Sequence, residues 1–190
     1  FEMEKNSFWY LKCYLLNLLM DNTLDLLKKC NNDTPLFSLN GKILNGKIVD
    51  VYDADTCKIV FFIDNQFVKF NCRLSGIDTP EMRPKKNNPD YSKEKKLAIM
   101  ARNRLIQLCS NDNCCDLNCL LSKKNKRTIF DNNFKLVKVK CGKFDKYGRL
   151  LVEIFNENIS FNDVLINENY ALKYDGGTKT KNFNYNLFFT

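Results

Sequence analysis

Histidine is absent from the 190-residue chain, and much familiar chemistry goes with it. Ser-His-Asp hydrolysis, imidazole acid-base work, histidine-metal nucleases and ordinary Cys/His zinc fingers are all excluded. Catalysis here must run on carboxylates, guanidiniums, lysines, tyrosines or thiols. Long apolar runs are lacking too. The most apolar stretch, residues 8–30, is interrupted by Lys12 and Asn17 and is too short to span a bilayer. Lys5 precedes it as in a signal peptide, but no small-residue cleavage site follows. Its leucines, Leu11, Leu15, Leu18 and Leu19 and then Leu24, Leu26 and Leu27, fall at helical spacing. The stretch reads as an amphipathic helix that docks on the domain or a partner, with a membrane anchor as the minority reading.

The nine cysteines are odd in number, and several sit inside apolar strand patterns, which implies reduced thiols in an intracellular setting. A secreted or anchored form stays open. The densest group, Cys109–Cys119, has the spacing C-x4-C-C-x3-C, which is not a standard zinc pattern, and it reads as free thiols.

What is present suits a packed domain. The chain is 44% hydrophobic with 15 Phe and 8 Tyr. Its formal charge of +8 makes a polyanion the natural partner, although lysines scattered over solvated faces would give the same sum.

Residues 1–40 read as a helical extension and 41–190 as one domain. Three short β-rich runs, about 46–52, 56–63 and 67–77, are joined by the turn formers Asp53-Ala54-Asp55 and Asp64-Asn65. A Lys- and Pro-rich loop follows, then a helix starting near Ser92 with Leu97, Met100, Ala101, Leu105 and Leu108 on its apolar face. The polar segment 110–133 is an insertion, and its Lys123, Lys124, Lys126 and Arg127 extend a phosphate-binding surface or decorate a solvated loop, the second being preferred. Strands resume at FKLVKVKC and RLLVEIF, and a helix near 160–170 closes the pattern. The order implies an α+β fold: a five-stranded OB-fold β-barrel with flanking α-helices and an extra N-terminal helix.

Three segments carry chemistry: VYDADT (51–56), RLSGIDTPE (73–81) and DKYGR (145–149). Each has a bland reading as turn formers and surface ion pairs. In this order they resemble the staphylococcal nuclease (thermonuclease) family, whose pattern is a D-G-D-T turn, an R-x4-D-T-P-E stretch and a D-K-Y-G-R turn. The resemblance runs from about residue 41 to about 175. It implies that Arg73 and Arg149 grip the scissile phosphate and that Glu81 is the catalytic carboxylate. It implies Ca2+ held by Asp55, Asp78 and the Thr79 carbonyl, with Asp53 just outside the ligand shell. Lys146 and Tyr147, and by a looser match Tyr174, are implied to contact nucleotide phosphate. The implied activity is Ca2+-dependent hydrolysis of DNA and RNA to 3′-phosphate products, with no small-molecule cofactor. The rival readings are a catalytically inactive nucleic-acid-binding module and a protein-interaction domain. The N-terminal extension and YDGGTK resemble copies carried by large DNA viruses, which implies host cytoplasm or virion.

The donor set is chemically coherent. Calcium takes several oxygen ligands, and two aspartates, a carbonyl, waters and a phosphate oxygen supply them. Arginine's planar fork matches phosphate bidentately. Ala54 departs from the pattern, because the family has glycine there. If that position requires positive φ, alanine costs about 1 kcal/mol and shifts Asp53 or Asp55.

Overall fold

The computed structural model of the protein describes residues 14, 20, 22–110, 114–177 and 183–189. The chain divides into two units between Phe37 and Ser38. Most of the expected N-terminal amphipathic helix lies outside the described residues; within them, Tyr14, Met20 and residues 22–27 are helical. Among the described residues, no helix is long and apolar enough to cross a membrane.

The second unit begins with a meander of β1 (Ile43–Asp53), β2 (Thr56–Ile63) and β3 (Gln66–Leu74). Asp64 and Asn65 join β2 to β3 with φ of 49° and 63°, the left-handed pair that a two-residue hairpin needs and that Asn and Asp tolerate. The short β4 (Ile77–Asp78), helix α1 (Tyr91–Leu108) and helix α2 (Lys123–Asn132) follow. Then come β5 (Leu136–Phe144), β6 (Leu150–Asn156), β7 (Ile159–Ser160), α3 (Phe161–Asn167), β8 (Leu172–Lys173) and a 3-10 turn at Tyr185–Leu187.

Strands β3, β2, β1, β5 and β6 are neighbours in that order, and β3 returns to β6 in parallel, pairing Cys72–Leu74 with Leu150–Val152. The sheet therefore closes into a five-stranded barrel, the OB-type α+β fold expected from the element order. Alternation fills it: Cys57, Ile59 and Phe61 of β2, Val137, Val139 and Cys141 of β5, and Leu150, Val152 and Ile154 of β6 all point into the core. Gly46 is required by close approach, since a Cβ there would lie 2.7 Å from Ile59 Cγ2.

Helix α1 differs from its expected form at both its start and its face. Ser92 lies inside the first turn; Asp90 precedes the helix and makes no side-chain cap. The buried face holds Leu97, Ala101 and Leu105 as expected, but Met100 and Leu108 are only half-buried, while Arg102 and Asn103 go under. Asn103 has a structural reason for burial. Its amide nitrogen lies 2.7–3.0 Å from the carbonyls of Asp116, Leu117 and Cys119, and its oxygen accepts from Arg102. This side chain satisfies a loop that has no ladder of its own.

The segment 110–133 is not simply a solvated loop. Ser122 caps α2 by accepting from Asn125 N at 3.1 Å, and Ile129 and Phe130 join the core. Lys126 is only 8% exposed, so it does not offer its charge to solvent. Its ammonium donates to Asp50 Oδ1 at 2.9 Å and to the Val51 carbonyl, pinning α2 to β1. Lys123, Lys124 and Arg127 are exposed, as a solvated face requires. In the cysteine cluster, Cys109 is buried and Cys115 is half-buried. Burial and the neighbouring Cys114 push the Cys115 thiol up to about 12, so it stays protonated.

Burial pushes the Asp50 carboxyl up, but the hydrogen bond and charge of Lys126, with Lys58, outweigh it and hold the carboxyl below its ordinary range. A depressed folded value stabilises the native state above the unfolded value of about 3.9 and loses that contribution as pH falls through the folded value. Lys126→Met is expected to destabilise the fold by about 1–3 kcal/mol in urea titration at neutral pH. It should also flatten the acid limb of stability below about pH 4. An unchanged urea midpoint would show that α2 is held by Ile129 and Phe130 alone.

Candidate active site

At one end of the barrel, the β1–β2 turn places Ala54 and Asp55 between the paired residues Asp53 and Thr56. Among the described residues, the left-handed non-glycine positions are Asp64, Asn65, Glu157 and Asn169, so Ala54 makes the turn without positive φ. Its methyl group is 1% exposed and belongs to the core. The strain expected at that position does not arise. The turn is fastened to β3 by Leu74 N, which donates to the Asp55 carbonyl at 2.8 Å.

Arg73, next to last in β3, stands opposite Thr56. Its Nη1 donates to Asp55 Oδ2, while its Nη2 donates to the Ile77 carbonyl at 3.3 Å and stands 3.9 Å from Asp78 Oδ1. One guanidinium thus stands between the two aspartates from different parts of the chain. Asp55 also accepts from the Thr56 hydroxyl at 2.9 Å. Asp78 is buried in β4, whose short ladder with β8 pairs it with Leu172.

The second arginine is organised by Asp145. Asp145 Oδ1 accepts from the backbone of Tyr147 and of Arg149, each at 2.9 Å, and Oδ2 accepts from Arg149 Nε and Nη2, each at 2.8 Å. Gly148, at φ 76°, lets the turn close. Burial opposes ionisation of Asp145, but the donors from Arg149 and Tyr147 outweigh it and hold the carboxyl below its usual range. The Arg149 guanidinium stands 5.4 Å from the Tyr147 ring centre and Lys146 Nζ stands 5.1 Å from it. Tyr147 is 72% exposed, so its ring remains available to a ligand.

These parts border one concavity of about 420 Å³. Arg73, Glu81 and Arg149 line it, as do Asp53, Asp55 and Thr79, and Lys146, Tyr147 and Tyr174 complete the wall. The two arginines thus face one concavity, although each is also held in an ion pair as the bland reading has it, Arg73 with Asp55 and Arg149 with Asp145. Asp78 faces an adjoining concavity of about 810 Å³, which shares Thr79 and Glu81 with the first. Tyr174 is tied down by its own loop: its hydroxyl donates to the Gly177 carbonyl at 2.7 Å and its amide to Gly76 O at 3.0 Å.

Two lining or supporting residues were not singled out in the sequence. Thr56 orients Asp55, and its signal was its place directly after that aspartate. Asp145 holds Arg149, and its signal was an aspartate opening a turn that contains glycine.

The oxygen donors suit a hard cation. Neither sulfur nor imidazole enters the wall, and Asp53 Oδ1 is buried without a hydrogen-bond partner. Burial, then the adjacent charge of Asp55, pushes the Asp53 carboxyl up to about 7. Among the described residues, no three His, Cys, Asp or Glu side chains are grouped to hold a metal by themselves. A cation would therefore draw on backbone carbonyl, water and substrate oxygens as well.

A closed OB barrel carrying this cluster at one end is a fold of the nuclease type. The chain belongs to the staphylococcal nuclease homologue family, which matches residues 71–188. That match begins within β3, so the turn bearing Asp53 and Asp55 lies ahead of it. No curated protein matches the chain.

Because Ala54 sits in the core at ordinary backbone angles, replacing it with glycine should be harmful. Ala54→Gly is expected to cost about 1 kcal/mol, from backbone entropy and the lost methyl burial. A rise in the urea midpoint would contradict this account of the turn.

Proposed function

We propose that the protein is a Ca2+-dependent phosphodiesterase that hydrolyses DNA and RNA and leaves 3′-phosphate ends. The observation that carries this reading is one concavity bordered by Arg73, Glu81 and Arg149. Binding alone needs the guanidiniums. It has no use for Glu81, a carboxylate at a site meant for a polyanion.

In this reading Asp55, Asp78 and the Thr79 carbonyl would hold the cation, and Asp53 would support Asp55. When bound, the ion supplies charge stabilisation to a phosphate oxygen. Arg73 and Arg149 donate to the equatorial oxygens as charge builds on them during attack. Arg149 is already aimed by Asp145, so it needs little reorganisation, whereas Arg73 would turn from Asp55 towards the phosphate when that carboxylate takes the cation. Glu81 positions a water and takes its proton; the water oxygen bonds to phosphorus, the P–O5′ bond breaks, the departing oxygen takes a proton from solvent water, and Glu81 returns its proton to solvent. Lys146 and Tyr147 steady the neighbouring phosphate at the rim.

Cleavage of a labelled oligonucleotide, followed with Ca2+ and with excess chelator, tests the proposal. Activity should vanish in chelator and return with Ca2+. Glu81→Gln, Arg73→Ala and Arg149→Ala should each slow cleavage by two to three orders of magnitude, about 3–4 kcal/mol of barrier, with circular dichroism unchanged. Full-rate cleavage in chelator would overturn the metal requirement. Binding without cleavage by the unmodified protein would favour the inactive-module reading.

Affinity should also fall steeply with salt, at similar slope for different sequences, because phosphate contacts release counterions. A flat salt response would rule out backbone-dominated binding.

A further inference from the structure

The outer face of the β2–β3 hairpin carries a row of residues that the proposed chemistry does not use. Register fixes the row. Thr56 stands opposite Arg73, Lys58 opposite Asn71, Val60 opposite Lys69, and Phe62 opposite Phe67. The alternate residues Cys57, Ile59, Phe61 and Cys72 point into the core, so these four pairs all face outward. The first pair lines the candidate active site. The last pair sits beside the Asp64-Asn65 turn, its rings 5.1 Å apart. Phe62 is 59% and Phe67 81% exposed, an uncommon pairing for a hairpin tip that gains nothing from showing two phenyl rings to water.

Between the ends the face is continuous. A small concavity of about 150 Å³ adjoins the site, lined by Tyr52, Thr56, Lys58, Asn71 and Arg149 among others. Tyr52, on β1, is half-exposed. Asp50 is the acidic neighbour here, and Lys126 and Lys58 both lie against it. Lys69 adds a further exposed cation. The face therefore interleaves aromatic rings with cations and ends on the two arginines of the site.

From these observations we propose that the outer β2–β3 face is a binding track for the single-stranded nucleic acid that enters the site, with Phe62 and Phe67 stacking a base remote from the scissile phosphate. The inference rests on the nucleic-acid reading of the site. Six residues of strand separate the Thr56–Arg73 pair from the Phe62–Phe67 pair, about 20 Å at the strand rise. An extended strand covers that distance in about three or four nucleotides, within the usual footprint of one OB barrel. Phosphates would follow Lys58 and Lys69, and every base presents a π-face to the aromatic pair, so the track adds affinity without sequence preference.

The experiment compares two labelled probes in a Glu81→Gln background by fluorescence anisotropy. One is a twelve-residue oligothymidylate, and the other is a 5′-phosphorylated thymidine dinucleotide, too short to reach the hairpin tip. The Phe62→Ala/Phe67→Ala variant is expected to weaken the long probe by at least about fivefold. The dinucleotide should bind as before. Phe67→Trp should retain the long-probe affinity, because stacking survives.

Equal affinity of the long probe for variant and parent overturns the track and leaves the site reading standing. Equal losses on both probes also overturn it, since the substitutions would then be acting on the site. Failure of the parent to bind either probe overturns the track together with the nucleic-acid reading. Unchanged long-probe affinity with loss of self-association in sedimentation assigns the rings to a protein interface instead, against the proposal.

Discussion

Three residues of parallel pairing, Cys72–Leu74 against Leu150–Val152, organise the rest of the molecule. Parallel strands so far apart in sequence meet only if the intervening chain makes a full circuit, and here that circuit includes α1, α2 and β5. The pairing turns an open sheet into a barrel and removes most of two exposed edges. It also determines where charge accumulates. Arg73 is in the pairing itself, opposite Leu151, and Arg149 immediately precedes β6. Two guanidiniums are thus brought to one rim by hydrogen bonds of the backbone.

Like charges gathered this way repel, and the molecule answers with carboxylates. Asp55 is given to Arg73 and Asp145 to Arg149, each through charge-assisted bonds. Arg73 is mostly buried in its pair, so its orientation has little freedom left. Asp145 spends one oxygen on two backbone amides and the other on the arginine, coupling the shape of the turn to the aim of the side chain. The same economy is seen at Lys126, where one ammonium satisfies a strand carbonyl and neutralises Asp50.

Period and turn chemistry made the barrel strands legible, because alternation runs through β2, β3 and β6 and is interrupted in β1 and β5 only at local irregularities. The grouping of Arg73, Glu81 and Arg149 was legible through the resemblance of three short motifs to the staphylococcal nuclease pattern. What sequence hid was burial of polar groups. Nothing local marks Asn103 or Lys126 as interior, since each goes under to satisfy carbonyls or a carboxylate supplied by another segment, and Arg102 goes under beside Asn103, to whose side-chain oxygen it donates. The insertion looked solvated because its lysines outnumber Ile129 and Phe130, yet these two apolar side chains and the buried Lys126 seat its helix on the barrel. Asp78 was expected beside Asp55; it reaches Arg73 while facing the adjoining concavity, a distinction that depends on the β4–β8 ladder and on no motif.

The parallel seam also has a temporal meaning. During synthesis, the turn bearing Asp55 and the strand bearing Arg73 are complete well before Arg149 exists, and a nascent chain can fold only what has emerged. The meander can form early, but its rim then offers one guanidinium and no opposing wall. The constellation is therefore born in a single late event, when β6 docks. A ribosome-bound or prematurely ended chain lacking residues 145–152 carries half of this constellation.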